Sequence, residues 1–257
     1  MRILCLGDAV GDEGVACLSA DRLLTGLRKR LAADLVIVNG ENSAPGNGIT
    51  PDSARALFRA GADVVTGGNH TWRRREIASM LDDEDFLLRP ANYPAAAPGH
   101  GACIADAAGW RVLVLNLAGC AFMEPVASPF ETADRFLRDY AGRFDAAVVD
   151  FHAEATSEKF ALARYLDGRV SAVFGTHTHV ATADAQILPG GTGYITDAGM
   201  CGSHAGILGV STDAILHKYL VKTPVQFSPA KGQREVHGVL FEIEPNGRCT
   251  RAESVRA

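Results

Sequence analysis

The sequence predicts a mixed α/β fold, and three observations support that prediction. Short apolar runs typical of buried strands alternate with segments whose apolar residues recur at helical spacing. Several of these strands end in glycines and polar side chains, and the carboxyl ends of strands are where open α/β sheets bind ligands. The chain has 257 residues, of which 47% are hydrophobic and 21% charged, a composition that supports an ordinary globular core. No repeat or linker divides it, so we expect residues 1–257 to form one domain.

Strand and helix patterns alternate through the first half of the chain. Thr50 is a helix-capping residue, Pro51 suits the first helical turn and Asp52 adds an early acid, so a helix is predicted to begin there. Ala54 and Leu57 lie on its apolar face. In chain order, the predicted elements are a strand at 2–7, a helix through Leu24, Leu27 and Leu31, a strand at 35–38, the helix after Thr50, a strand at 63–66 and a helix over 73–81.

The second half starts irregularly, because Pro90, Pro94 and Pro98 interrupt any element there. Ser128 and Glu131 have the spacing of a capping box and therefore predict the start of a helix. In chain order, the predicted elements are a strand at 110–117, the helix after Ser128, a strand at 146–151, a helix over 158–166, a strand at 170–174, a strand-and-turn segment at 186–196, a helix over about 212–220 and a strand at 238–243.

Composition excludes several classes of function. The net charge is −5 and no basic block occurs, so a binder of duplex nucleic acid is not indicated. No uncharged apolar stretch reaches the roughly 18 residues of a membrane span, and the N-terminal apolar run is too short for a signal peptide. The cysteines form no C-x-x-C pair and are typical of reduced thiols in a cytoplasmic protein. They are Cys5, Cys17, Cys103, Cys120, Cys201 and Cys249.

Polar side chains follow the C-terminal ends of five predicted strands. The first three of these clusters lie about 30 residues apart, the length of a βαβ unit, so neighbouring parallel strands would bring them to one edge. The candidate residues are Asp8, Glu41, Asn42, Asn69, His70, His152, His177 and His179.

These residue types favour a metal centre. Taken singly, Asp8 is best explained as a turn or helix cap and His152 as a half-buried structural histidine. His177 and His179, if both were on one strand, would point their rings to the same face, although such pairs are often incidental. Together, oxygen and imidazole donors without a thiolate suit Fe, Mn, Zn or Mg, and two such metals can support displacement at phosphorus.

The motifs around these residues resemble a known family. GDAVG, GEN, GNH, DFHAE and GTHTH resemble the calcineurin-like metallophosphoesterases. The longer segments NGENSAPGNGIT, GGNHTW, RPANYP, VDFHAEATSEK and GTHTHVATADAQILPGGTGYITDAGMCG resemble the YmdB-type branch, which hydrolyses cyclic nucleotides, typically 2′,3′-cyclic ones. The resemblance covers nearly the whole chain. It implies a four-layer α/β/β/α sandwich of two mixed sheets flanked by helices, with the strand-rich C-terminal half supplying strands of a second sheet.

The resemblance also implies a role for each candidate residue. The wider superfamily has D-x-H where this chain has Asp8-Ala9-Val10, and it has an aspartate where this chain has Glu41; the YmdB-type branch shares both differences. The first metal would be held by Asp8, Glu41, Asn42 and His179, and the second by Asn69, His152 and His177, with Glu41 as the bridge. His70 matches the catalytic acid. The implied cofactors are two divalent or mixed-valence ions per chain, usually described as iron, and the ligands also suit Mn or Mg.

The implied reaction is hydrolysis of a phosphodiester. A hydroxide bridging the metals would attack phosphorus in line while His70 protonates the leaving oxygen. Two divalent ions, two carboxylates and the hydroxide leave about one positive charge, which suits a singly charged diester. The resemblance implies that the partner is a small cyclic nucleotide, and the charge is also compatible with another phosphodiester. The alternatives are a phosphomonoesterase or nucleotidase on the same site, or a nucleotide-binding regulator with little turnover; an oligomer is left open, because an apolar helix face serves core or interface equally.

Other residues stay outside these motifs. His204, in a glycine-rich loop, is expected either to line the substrate pocket or to lie on the surface. Asp150 or Glu154 could orient a ligand imidazole, and Cys201 is expected to be a buried small residue or part of the pocket wall. Structural roles are expected for His100, His217 and His237.

Overall fold

The computed structural model describes residues 1–257, with the exception of the side chain of Asp21. The strands are β1 (Arg2–Ala9), β2 (Leu35–Asn39), β3 (Val64–Thr66), β4 (Ala102–Ala107), β5 (Trp110–Ala118), β6 (Ala146–His152), β7 (Ala172–Thr176), β8 (Gln186–Ile187), β9 (Gly193–Ile195), β10 (Met200–Ser203), β11 (Arg234–Ile243) and β12 (Cys249–Arg256). The helices are α1 (Gly11–Ser19), α2 (Leu23–Leu31), α3 (Pro51–Ala60), α4 (Ala78–Asp83), α5 (Pro129–Asp139), α6 (Thr156–Leu166) and α7 (Thr212–Leu220), with short 3-10 turns at Ala20–Arg22 and Arg75–Ile77.

The strands form two mixed sheets of six strands each. The first has the order β12-β11-β10-β1-β2-β3, in which β10, β1, β2 and β3 are parallel, β11 runs antiparallel to β10 and β1, and β12 runs antiparallel to β11. The second has the order β4-β5-β6-β7-β9-β8, with four parallel central strands and antiparallel edge strands. Both sheets thus contain the parallel strands that the polar clusters require.

Side-chain alternation along the strands produces four layers. On β1, Ile3 and Cys5 pack between the two sheets, whereas Leu4 and Leu6 pack against the helices on the outer face. The outer face of the second sheet packs on α5 and α6, and Leu162 of α6 is one of the helix residues in this contact. The arrangement is therefore helices, sheet, sheet, helices, which confirms the fold class that the sequence resemblance implies.

Helix caps explain two of the predicted starts. Thr50 Oγ1 accepts a hydrogen bond from the Ser53 amide, and Ser53 Oγ accepts one from the Thr50 amide, so α3 begins at Pro51 as predicted. Ser128 Oγ accepts from the Glu131 amide at 3.4 Å, and α5 begins at Pro129. In the part of the chain that the structure describes, the Glu131 side chain returns no bond, so only half of the predicted capping box forms.

The C-terminal half supplies β6, β7, β8 and β9 to the second sheet, as expected, but its last strands, β10, β11 and β12, return to the first sheet. Other sequence-based expectations were wrong in detail. The helix predicted over 73–81 is a 3-10 turn followed by α4, because the chain at Arg74 is still extended. The strand predicted at 170–174 lies two residues later, at Ala172–Thr176. β4, β10, β12 and α1 were not predicted.

Within the described part of the chain, none of the helices combines the length and apolar character needed to cross a bilayer. The six cysteines are free thiols, and all except Cys120 are buried.

Candidate functional site

The predicted ligands meet where the two sheets face each other at the C-terminal ends of their parallel strands. Asp8 is on β1, and the loops after β2 and β3 carry Glu41 and Asn69. From the second sheet, His152 ends β6 and His177 follows β7. The side chains of Asp8, Glu41 and His152 are at most 1% exposed, so the site lies at the base of a cleft.

Asp8, Asn42 and His179 form one side of the cluster. Asn42 Nδ2 lies 3.3 Å from Asp8 Oδ1, and His179 Nε2 lies 3.5 Å from the same oxygen. Asn42 Nδ2 is also 3.3 Å from His179 Nε2. Asp8 Oδ1 and His179 Nε2 could therefore reach one small ion, and Asn42 could join them through Oδ1 if its side-chain amide turned, because the amide nitrogen does not bind metal.

Glu41, Asn69, His152 and His177 form the other side. His152 Nε2 is 3.3 Å from Glu41 Oε2, 3.1 Å from Asn69 Oδ1 and 3.1 Å from His177 Nδ1. Suitable donor atoms of Glu41, His152 and His177 all lie within 4.8 Å of one another. Glu41 Oε1 also accepts a hydrogen bond from Asn42 Nδ2 at 2.7 Å, so this carboxylate lies between the two groups.

The electrostatics of the cluster call for positive charge. Burial alone would raise the pKa of both carboxyl groups, but His179 holds the pKa of Asp8 below its usual value, and His152 and His70 hold that of Glu41 well below. Burial would lower the pKa of His152, yet Glu41 raises it to about 9. Burial and the neighbouring His152 lower the pKa of His177 to about 4, so this ring is neutral and can act as a ligand.

This donor set fits metal ions. Two buried, ionised carboxylates need a compensating charge, and divalent cations supply it more fully than one protonated imidazole. The donors are carboxylate and amide oxygens and imidazole nitrogens, with no thiol among the residues that line the cluster in the described structure. Such a set suits Fe, Mn or Zn, in agreement with the expectation from sequence.

His70 lies beside the cluster. Its Nδ1 is 3.0 Å from Glu41 Oε1 and 2.9 Å from Asn42 Oδ1, and its amide donates to Glu41 Oε2 at 2.8 Å. Since Nδ1 makes these contacts, Nε2 is the ring nitrogen left for a substrate. The side chain is 24% exposed and lines the cleft.

His177 and His179 lie after β7 and not on it. Strand alternation therefore does not place their rings on one face, as it would have done if both were on one strand. β7 ends at Thr176, and both histidines have left-handed backbone conformations, with φ of 101° and 64°. Asp197 supports this turn, because its Oδ2 accepts hydrogen bonds from the Thr178 amide at 3.1 Å and hydroxyl at 2.8 Å. The buried Lys159 of α6 completes the support, with Nζ 2.7 Å from Asp197 Oδ2.

A second buried network positions His152. Thr176 Oγ1 lies 2.9 Å from His152 Nδ1 and donates to Asp150 Oδ1 at 2.7 Å. Asn39 Nδ2 also donates to Asp150, at 3.0 Å. Burial raises the pKa of Asp150 to about 6, with His152 and the hydrogen bonds of Thr66, Thr176 and Asn39 opposing the rise. Asp150 thus orients His152 through Thr176.

Glu154, the other acidic neighbour of His152 in sequence, contacts a different ring. Its Oε2 lies 3.1 Å from His177 Nε2, opposite the nitrogen that faces His152. The supporting residues Asn39, Lys159, Thr176 and Asp197 all lie in segments that carry the family resemblance. Their supporting roles were not predicted, because the contacts they make join separate elements and exist only in the folded chain.

A cavity of about 350 Å³ opens above the cluster. Its polar floor contains Glu41, Asn42, His70, His177 and His179. The opposite wall is apolar and comes from the loop after β10, α7 and the segment that follows α7. Its members are Ile207, Leu208, Val210, Ile215, Tyr219, Phe227 and Pro229.

Residues outside the motifs take other positions. His204 neither lines this cavity nor lies on the surface; it is half-buried against His237, with ring centroids 4.4 Å apart. Cys201 is fully buried in the core between the first sheet and its helices. His100 and His217 are exposed.

Comparisons with known proteins agree with the resemblance seen in the sequence. A family model described as "YmdB-like protein" matches residues 4–255. The chain is 45% identical to a 2′,3′-cyclic-nucleotide 2′-phosphodiesterase of Bacillus subtilis over 244 residues, covering 95% of this chain and 92% of the relative. A hypothetical protein from Thermus thermophilus has a similar structure, with a TM-score of 0.93, 40% identity and coverage of 100% and 99%. A structure of a novel phosphatase from Mycoplasma pneumoniae is also similar, with a TM-score of 0.92 and 32% identity, and the match covers 100% of this chain and 93% of that one.

Proposed function

The chain belongs to the YmdB-like family, and from that premise we propose that it is a metal-dependent phosphodiesterase acting on cyclic nucleotides, with 2′,3′-cyclic nucleotides as its preferred substrates. The substrate class comes from the Bacillus subtilis relative, which bears the name of that activity. The reaction class is supported by the site itself, and one observation carries it.

That observation is the convergence of two buried carboxylates, two amides and three imidazoles from both sheets onto one cleft. Asp8, Asn42 and His179 would hold one ion, and Asn69, His152 and His177 a second. Glu41, which lies between the two groups, would be shared. We propose two ions per chain, with iron fitting this donor set and Mn or Mg as alternatives. Since the ligands come from both sheets, we also propose that residues 1–257 act as one domain.

When bound, such a pair of ions neutralises the charge of a phosphoryl group and activates water for attack at phosphorus. The chain's own part is to place the phosphate and to handle a proton. His70 Nδ1 donates to Glu41 Oε1, which fixes the ring. In the imidazolium form, Nε2 also carries a hydrogen, which it can give to the leaving ribose oxygen.

The cavity supports a nucleotide rather than a small diester. Its polar floor would hold the phosphate, and its apolar wall, including Tyr219 and Phe227, would cover the base. A volume of about 350 Å³ lies within the range of small-ligand sites.

A substrate panel with a His70→Ala variant tests the proposal. Wild-type enzyme should turn over 2′,3′-cyclic nucleotides faster than 3′,5′-cyclic nucleotides or monoesters. A ribose alkoxide needs a proton as it leaves, whereas p-nitrophenolate does not. The variant should therefore lose roughly 10²–10⁴-fold on the cyclic nucleotide and far less on bis-p-nitrophenyl phosphate.

His100→Ala is the matched control, because this histidine is exposed and lies outside the cleft lining. Metal content is measured on each preparation, since loss of an ion would slow both substrates alike. Equal losses on both substrates with the metals retained would remove the acid role from His70. Preference for monoesters across the panel would instead support a phosphatase, the activity named for the Mycoplasma pneumoniae structure.

A further inference from the structure

A second group of metal-binding side chains lies where β10 and β11 pair. His204 follows the end of β10, and Glu235 and His237 occupy alternate positions on β11, so both point to one face. One donor atom from each of the three lies within 4.8 Å of the others. Glu235 and His237 are each 8% exposed. None of the three was assigned a role in the proposed centre.

Two nitrogens of this group lack partners. His237 Nε2 lies 3.0 Å from Glu235 Oε2, and because an ionised carboxylate can only accept, Nε2 carries the hydrogen and Nδ1 presents its lone pair. His237 Nδ1 and His204 Nε2 are both buried, and neither has a hydrogen-bond partner among the side chains that the structure describes. Such orphaned buried groups are rare in folded proteins and point to a missing ligand.

The contacts of Glu235 resemble those of a carboxylate that orients a metal-binding histidine. Besides His237, its Oε1 accepts from Gln233 Nε2 at 2.9 Å, and its Oε2 accepts from Arg256 Nε at 2.7 Å and Nη2 at 2.6 Å. The Arg256 side chain is 72% exposed, so it can move away without crossing the core. A cavity of about 550 Å³, lined also by Ser254, leads to the two rings.

We propose that His204 Nε2 and His237 Nδ1, with Glu235 as the carboxylate that orients His237, bind one transition-metal ion of the imidazole-preferring class, such as Zn²⁺, Co²⁺ or Ni²⁺. Imidazole nitrogens suit these ions better than Mg²⁺ or Ca²⁺, which prefer oxygen ligands. Burial lowers the pKa of His237, which keeps the ring neutral and available.

The site would tie a loop to the sheet. His204 begins the loop that contains Leu208, whose carbonyl oxygen lies 3.3 Å from His179 Nδ1. An ion held between His204 and β11 would therefore fix the loop that contacts a proposed ligand of the first centre. This site does not depend on the proposed phosphodiesterase function.

Equilibrium dialysis with Co²⁺ tests the proposal, with the visible absorption of bound Co²⁺ as a second readout. The wild-type protein should bind one more Co²⁺ per chain than His204→Ala, and that variant should lack one component of the wild-type Co²⁺ spectrum. His217→Ala is the control, because its histidine is exposed on α7. His237→Ala should lose the same Co²⁺ ion as His204→Ala. Thermal unfolding without Co²⁺ shows whether each variant is folded. If His237→Ala is not folded, the Co²⁺ stoichiometry of His204→Ala alone tests the proposal.

The charge of Arg256 separates a cation site from an anion site. Removing it in Arg256→Gln should tighten Co²⁺ binding, since the guanidinium competes for Glu235 and repels the ion. Equal Co²⁺ stoichiometry in wild type and His204→Ala would overturn the proposal. Weaker Co²⁺ binding by Arg256→Gln would overturn it as well.

Discussion

At the scale of single residues, the proposed centre depends on how closely side chains approach Gly68. A Cβ atom at this position would lie 2.3 Å from Glu41 Oε2 and 2.4 Å from His152 Nε2. Real atoms do not approach so closely, so any larger residue must displace these two side chains. The glycine of the GNH motif is thus explained by crowding around proposed ligands rather than by turn geometry.

Gly68→Ala should therefore damage the centre more than the fold. We expect elemental analysis to show reduced metal content and activity to fall together with it, while circular dichroism stays close to wild type. Gly26→Ala is the matched control, because a Cβ there meets nothing within 4 Å and the position is inside α2. The control should be neutral or stabilising by up to about 1 kcal/mol. Full metal content in Gly68→Ala would show that Glu41 and His152 can shift without losing their ligand positions.

At the scale of elements, α6 and the turn after β7 are joined by one buried ion pair. Lys159 and Asp197 are each 1% exposed, and Asp197 also holds the Thr178 amide and hydroxyl. Removing only the cation leaves a buried carboxylate without its partner, which typically costs about 3–5 kcal/mol. The turn with the two histidines should loosen at the same time.

Lys159→Met should lower the free energy of unfolding by about 3–5 kcal/mol, measured by urea denaturation. The double variant Lys159→Met with Asp197→Asn removes both charges and should recover part of that loss. The single variant Asp197→Asn completes the comparison. If the losses of unfolding free energy in the two single variants add up to the loss in the double variant, the two side chains do not interact and the pair does not support the turn.

α7 and the segment after it supply the apolar wall of the cleft. Tyr219 lines the cavity, whereas Leu216 on the same helix is exposed and does not. Stacking of a base on an aromatic ring is typically worth about 1–3 kcal/mol. Tyr219→Ala should therefore raise KM for a cyclic nucleotide by about 10-fold with a small change in kcat, and Leu216→Ala should change neither. A Tyr219→Ala enzyme with unchanged KM would show that the base lies elsewhere.

At the scale of the whole molecule, sequence predicted the layers better than the connections between them. The apolar runs of β1, β2 and β5 are visible because their strands are buried on both faces. β12 has mostly exposed residues, and its pairing with β11 gives it a strand conformation that its own composition does not indicate. Period-two alternation identifies faces but not sheets, so the return of the C-terminal strands to the first sheet could not be read from it.

The same distinction applies to the site. The positions of Asp8, Glu41 and His152 could be predicted to converge because each follows an apolar run in a βαβ pattern. The ion pair between Lys159 and Asp197 could not be predicted, because the two residues are far apart in the sequence and meet only in the folded chain. The roles of the converging residues as ligands stay predictions until metal is measured.

Because the proposed ligands come from both sheets, bound metal should stabilise the molecule as a whole. Asp8 lies on a strand of the first sheet, and Glu41 and Asn69 follow two others, whereas His152 ends and His177 follows strands of the second sheet, so a bound ion would join the two layers. Ligands that bind only the folded state raise the free energy of unfolding, by about 4 kcal/mol at 1,000 times Kd.

Chelation of the metal should therefore lower the unfolding midpoint of the entire protein in a single cooperative transition, followed by circular dichroism in urea. Adding back metal should restore the midpoint, up to two ions per chain by elemental analysis. Glu41→Ala is the control, because it removes the carboxylate that lies between the two groups and its midpoint should no longer respond to chelator. If the wild-type midpoint is unchanged after removal of metal is confirmed, the ions do not connect the sheets. A fully active preparation with a single ion per chain would contradict the two-ion centre, because activity would then require an ion at only one of the two groups of donors.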